Sequence, residues 1–138
     1  MPVVDASIVV DWVAPGVDSR GPASRLLSRL AQEAAPILAP RLLLEETANA
    51  LVTGIRRGRW TGAQADTALV LLCQLPVQLV DQPGDLDRAF ELSRRYDEHP
   101  VYDLIYVAVA ERLGEQLVTA DNALRGRLAA LPFVVGPA

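Results

Sequence analysis

The feature that most constrains this chain is Val3-Val4-Asp5-Ala6-Ser7, a β-branched pair that runs straight into a carboxylate, with a hydroxyl two residues later. A strand so short and apolar suits the middle of a buried parallel sheet, which puts Asp5 at its carboxyl end. In open α/β sheets, ligands collect at that edge. Every other acid in the chain is therefore judged by whether the fold can bring it to Asp5.

The rest of the chain alternates between short apolar runs and helical periods. Ile8 to Trp12 stays largely apolar, and Pro15-Gly16 with Gly21-Pro22 marks a loop. Ser24 can cap a helix carrying Leu26, Leu27, Leu30, Ala31 and Ala34, which Pro36 ends. Ile37-Leu38-Ala39 reads as a strand, and Pro40 opens a helix from Arg41 to about Gly58. Its apolar side runs through Leu43, Thr47, Leu51, Val52 and Ile55. Thr61 to Gln64 resembles a capping box for a helix reaching Leu75, and Val77 to Val80 is a third strand. Asp85 can cap a helix from Leu86 to about Tyr96, with Ala89, Phe90 and Leu92 inward. Tyr102 to Leu113 is apolar nearly all round, the mark of a buried helix, and Gly114 ends it. Gln116 to Thr119 gives a fourth strand, Asp121 caps a helix to about Ala130, and Pro132 to Val135 holds a last strand.

Strands separated by helices predict an α/β fold of three layers, α/β/α, around a mostly parallel sheet of four or five strands. One domain over residues 1–138 is the expectation for this length, and an apolar fraction of 51% suffices for its core. No apolar run approaches the roughly 20 residues of a membrane span. Asp5 and Asp11 stand where a signal peptide would need its apolar core, so a cytoplasmic protein is expected.

Composition removes several chemistries. Cys73 is the only cysteine, so a thiolate zinc cluster is excluded, and its apolar setting suggests a buried thiol. His99 is the only histidine; it precedes Pro100 and reads as a loop residue. All 13 basic residues are arginines, which excludes a catalytic lysine and a P-loop. A net charge of −4 argues against nucleic acid unless several acids share one pocket with cations.

Four acids fall at comparable places: Asp5 after the first strand, Glu46 early in the helix after the second, Asp103 at the start of the apolar helix, and Asp121 after the fourth strand. Glu46 shares a face with Leu42, Leu43, Asn49 and Ala50, and points partly inward while Glu45 turns away. Gathered carboxylates repel one another, so a protein that collects them also binds cations, and oxygen-only ligands select Mg²⁺ or Mn²⁺. Such ions serve phosphodiester hydrolysis without histidine or lysine. Taken singly, Asp103 and Asp121 also fit plain capping roles and Glu46 a solvated helix charge. Spacing by itself leaves both readings open.

Four segments, Val4-Asp5-Ala6-Ser7, Leu42 to Leu51, Tyr102 to Glu111 and Leu117-Val118-Thr119-Ala120-Asp121, stand in an order and at separations that resemble the PIN-domain family. Within it they resemble the VapC-type toxin ribonucleases of bacterial toxin-antitoxin pairs. The resemblance covers nearly the whole chain. It implies an endoribonuclease using Mg²⁺ or Mn²⁺, whose metal-binding acids fall on Asp5, Glu46, Asp103 and Asp121. Ser7 and Thr119 match hydroxyls that orient carboxylates or the attacking water, and Asn49 matches a supporting asparagine one turn after the glutamate. It also implies a homodimer, an RNA substrate and a cognate VapB-type antitoxin whose tail brings an arginine to the carboxylates. The chain departs from the family pattern after Asp121, where many relatives carry further acids and this one has Asn122-Ala123-Leu124.

Arg56, Arg57 and Arg59 beside Trp60 form the densest basic group, read either as a phosphate-contacting patch with a stacking aromatic or as a solvated helix end. Three other readings compete, and one of them, a phosphatase with an aspartyl nucleophile, would want a second aspartate where this chain has Ser7. A phosphoacceptor receiver domain would need a lysine, and a PIN-like module without activity would keep the acids for binding alone.

Overall fold

The computed structural model describes residues 1–138. Five strands, β1 Val3–Val4, β2 Ile37–Ala39, β3 Val77–Leu79, β4 Leu117–Val118 and β5 Val134–Val135, form one sheet in the order β3-β2-β1-β4-β5. Every pairing is parallel, with Val3 opposite both Leu38 and Leu117, and Leu117 opposite Val134. The expected strands are thus all present, each two or three residues long, and the sheet is wholly parallel. From β1 the chain proceeds to β2 on one side, while β4 lies on the other. This reversal opens a crevice at the carboxyl ends of β1 and β4.

Seven helices complete the fold: α1 Ala6–Val13, α2 Pro22–Gln32, α3 Leu42–Arg56, α4 Gly62–Gln74, α5 Pro83–Arg95, α6 Val101–Leu113 and α7 Asn122–Arg127. On one face α1 packs with α2, α3 and α4; on the other α5 packs with α6, which lies on β1 and β4. This is the expected three-layer arrangement. Val3, Val4, Ile8, Val9, Leu104, Val107 and Leu117 are fully enclosed at its centre. Burying each such side chain contributes about 1.5–3 kcal/mol against leaving it in water. No helix is long and apolar enough to cross a membrane.

Local chemistry explains where several elements differ from expectation. The apolar run after Asp5 is helix α1, because Asp5 itself caps it, accepting from the Ile8 N–H at 3.4 Å. Helix α2 begins at Pro22, and Ser24 donates to the Asp18 carbonyl instead of capping. The Thr61–Gln64 capping box forms in both directions. In α4 the buried positions are Ala65, Ala68 and Leu72, so Cys73, next to Leu72, turns outward and is exposed, contrary to expectation. Helix α5 starts at Pro83, two residues before Asp85, whose carboxylate returns to the Gln82 N–H at 2.9 Å. Phe90, expected inward, is exposed on that helix. Val52 and Ile55 are likewise exposed on α3, whose buried side is Leu43, Thr47, Leu51 and Gly54.

Candidate active site

The elements that carry the acids all reach the carboxyl edge. Asp5 follows β1 directly; α3 begins just beyond β2; Asp103 lies in the first turn of α6, whose far end leads into β4; and Asp121 caps α7 just after β4. Acids at helix N-termini gain from the positive end of the helix dipole, which helps gather like charges that otherwise repel.

Asp5 is 5% exposed. Ser7 Oγ donates to its Oδ1 and accepts from the Ala120 N–H at 2.9 Å, so one hydroxyl ties the end of β1 to the turn after β4. The fully buried Thr119 hydroxyl lies 3.3 Å from Ser7 Oγ and accepts from the Asp121 N–H at 3.1 Å. The Asp121 carboxylate is turned to its own helix, accepting from the Leu124 N–H at 3.0 Å. Half-buried Glu46 accepts from the Tyr106 hydroxyl at 2.6 Å, joining α3 to α6. Glu45 faces away toward Arg41, 3.3 Å distant. Asp103 Oδ2 lies 2.6 Å from His99 Nε2. Asn49 is exposed one turn from Glu46 and takes no part in these hydrogen bonds.

Neighbouring acids bear on Asp5 and on Glu46. Burial raises the Asp5 carboxyl above its usual range, the Ser7 and Thr119 hydroxyls and the Ile8 N–H pull it back, and Asp103 raises it further. Glu46 is raised by burial, lowered by the Tyr106 hydroxyl, then raised by the charges of Asp103 and Asp5. Burial and Glu46 together push the Tyr106 phenol well above its ordinary value, so it remains a hydrogen-bond donor. No arginine pairs with Asp5, Glu46 or Asp103.

The donor chemistry fits a hard divalent cation: oxygens only, recessed, mutually repelling and without a compensating cation. No three acidic, histidine or cysteine side chains converge around a point as they stand. Asp5, Glu46 and Asp103 are each engaged by a side chain of their own: Ser7, Tyr106 and His99.

Two of those side chains were not singled out by sequence reasoning. Tyr106 sits three residues after Asp103 and shares its face, a usable signal. His99 does lie in the loop before α6, as expected, and it reaches Asp103 by the path of that loop, which no helical spacing reports. The Trp60 reading is corrected. That residue is 9% exposed, its Nε1 donates to the Leu51 carbonyl at 2.9 Å, and its ring lies so close to Gly54 that a Cβ there would meet it at 2.1 Å. It cannot stack on a base, although Arg59 lies over its ring at 4.9 Å. Arg56, Arg57 and Arg59 are exposed at the end of α3. Arg56 lies ten residues beyond Glu46, roughly 15 Å along the helix.

The PIN domain profile matches residues 3–127, nearly the whole chain. The chain belongs to the PIN-domain family. Among solved structures, this PIN domain is similar to VapC20 of Mycobacterium tuberculosis, described as a sarcin-ricin loop cleaving toxin. The two share 22% identity and a TM-score of 0.69, over 97% of each chain. A Pyrobaculum aerophilum protein matches at 22% identity and TM-score 0.73, over 99% of this chain and 90% of its own. A chain in a toxin-antitoxin complex from Klebsiella pneumoniae matches at 20% identity and TM-score 0.62, over 100% of this chain and 98% of its own. At such identities the likeness shows the fold alone. No curated protein matches the sequence.

Proposed function

We propose that this PIN domain is a VapC-type toxin, an endoribonuclease that hydrolyses RNA phosphodiester bonds with Mg²⁺ or Mn²⁺ and is neutralised by a VapB-type antitoxin. The observation that carries this reading is the gathering of buried Asp5 with partly buried Glu46 and Asp103 at the carboxyl edge of the sheet, with no arginine paired to any of them. Family membership and likeness to structures described as a toxin and as a toxin-antitoxin complex support it.

Asp5, Glu46 and Asp103 would hold the principal ion, with Asp121 at the rim for a second ion or a water. When bound, the ion supplies charge neutralisation at the phosphodiester and a water acidic enough to attack phosphorus near neutral pH. The chain's own residues hold the acids in place for this. Ser7 orients Asp5 and, through Ala120, fixes the distance between β1 and the turn after β4. Tyr106 holds one oxygen of Glu46 and leaves the other to the site. Thr119 braces the turn that presents Asp121. Exposed Asn49 offers a polar contact beside the acids, and Arg56, Arg57 and Arg59 meet backbone phosphates farther along α3. An antitoxin arginine would satisfy the trio's charge as a bidentate fork. In a homodimer, exposed Leu86 and Phe90, one turn apart on α5, supply apolar surface for pairing.

The test is cleavage of a mixed RNA pool by the purified protein with Mg²⁺, with Mn²⁺ and with EDTA, beside Asp5→Asn. Metal-dependent cutting that the variant loses by about a hundredfold or more is expected. A folded wild-type protein that binds RNA yet cuts nothing with either metal would instead be a binding module.

A further inference from the structure

The reading above leaves His99 without a role, although the fold goes to some length to place it. Asp97 and Glu98, directly before it, both take left-handed backbone conformations, with φ of 58° and 53°. Neither is glycine, and consecutive residues of this kind store strain that persists only where the surroundings enforce it. The surroundings do so here. The His99 N–H donates to the Tyr96 carbonyl at 3.2 Å, and Ser93 Oγ donates to the His99 carbonyl. Pro100 restricts the His99 backbone from the other side. The ring is thereby set over the first turn of α6 with its side chain 14% exposed.

Both ring nitrogens are occupied. Nδ1 lies 3.3 Å from Arg127 Nη1 on α7, and Nε2 lies 2.6 Å from Asp103 Oδ2. A guanidinium only donates, so it faces the lone pair of Nδ1. The ring proton then belongs on Nε2, where the carboxylate accepts it. Arg127, His99 and Asp103 form a relay from α7 to α6. Asp103 Oδ1 makes no hydrogen bond within the protein.

We propose that His99 is a positioning residue: in the relay Arg127–His99–Asp103 it fixes the tilt of the Asp103 carboxylate and presents Oδ1 to the cation site. The inference rests on Asp103 being a metal ligand. Outer groups that orient a ligand in this way change metal affinity about 10- to 100-fold when removed.

Because His99 is the only histidine, ¹⁵N-histidine labelling yields one imidazole to read. At a fixed, mildly alkaline pH the ring should carry its proton on Nε2, and Asp103→Asn should shift that signal. Mn²⁺ affinity is then measured by electron paramagnetic resonance for wild type, His99→Leu, His99→Gln, His99→Asn and Asp103→Asn. His99→Leu should bind about 10- to 100-fold more weakly. His99→Gln, whose amide reaches the place of Nε2, should recover most of the loss. His99→Asn, whose amide reaches only the place of Nδ1, should not, and the two amides decide the matter even if the leucine variant fails to fold. A proton on Nδ1 overturns the inference. So does wild-type affinity in His99→Leu or His99→Asn while Asp103→Asn loses binding, and either result leaves the metal site standing. A wild-type protein that takes up no Mn²⁺ overturns the metal site itself, and the relay's role with it.

Discussion

Asp5 and Asp85 are the same residue, 5% and 6% exposed, and each serves at the start of a helix; yet their electrostatic settings are opposite. Burial pushes the Asp85 carboxyl up, but Arg112 grips it through two bonds of 2.7 and 3.0 Å, the Gln82 N–H adds a third, and the result lies below the usual range. Asp5 has only hydroxyls, one N–H and the neighbouring charge of Asp103, and lies above it. A carboxylate buried for structure is given its cation by the chain. One buried without a cation leaves charge for something outside the chain to neutralise. The difference marks the site more sharply than acidity or burial alone.

The comparison breaks most readily at Arg112. Arg112→Leu strands Asp85 as an unpaired buried charge, and urea unfolding should show a loss of about 3 kcal/mol. A loss under about 1 kcal/mol would mean that Asp85 needs no partner. Next in size is the gain from an external cation at the other acid. Mg²⁺ at about a hundred times its dissociation constant should stabilise the wild-type protein by about 2.7 kcal/mol, seen as a rise in melting temperature that Asp5→Asn does not share. Equal rises in both proteins would place the ion elsewhere. Tyr106→Phe removes the donor on Glu46 and should cost about 1.5 kcal/mol in the metal-free protein.

The smallest effect is the most discriminating. Asp5 and Glu46 titrate above their ordinary values of 3.8 and 4.5. Their contribution to folding is therefore full below those values and is lost as pH rises through the raised native ones. Asp85 and Glu111, lowered, contribute above their ordinary values and lose it as pH falls through the native ones. Asp5→Asn should match or slightly exceed wild-type melting temperature near neutral pH without metal, and should flatten the decline on the alkaline side of the carboxylate range. A variant that melts several degrees lower would show that the charge itself holds the fold.

Much of this was legible beforehand where it depends on near neighbours. Val3-Val4-Asp5 announces a buried strand ending in a carboxylate, and Thr61 to Gln64 announces its capping box, because strand period and helix caps are local. The pairs that decide function are not. Tyr106 reaches Glu46 across 60 residues, and Arg112 reaches Asp85 across 27. No periodicity reports such meetings. Cys73 and Phe90 read as inward because their surroundings are apolar, but a helix buries one side, and the neighbours Leu72 and Ala89 occupy it. Trp60 looked like a stacking aromatic beside arginines until the gap left by Gly54 explained where its ring goes.

Helix α6 carries Asp103 at one end and Arg112 at the other, with Tyr106 to Ala110 buried without a break between them. A segment so enclosed has no low-energy way to loosen by itself, and its amides should exchange with deuterium only when the whole molecule unfolds. The carboxylate at its head is therefore carried by one of the most enclosed helices of the fold. Whatever gates the site does so by filling or vacating the recess, on a timescale set by an incoming molecule's residence there and not by any opening of α6.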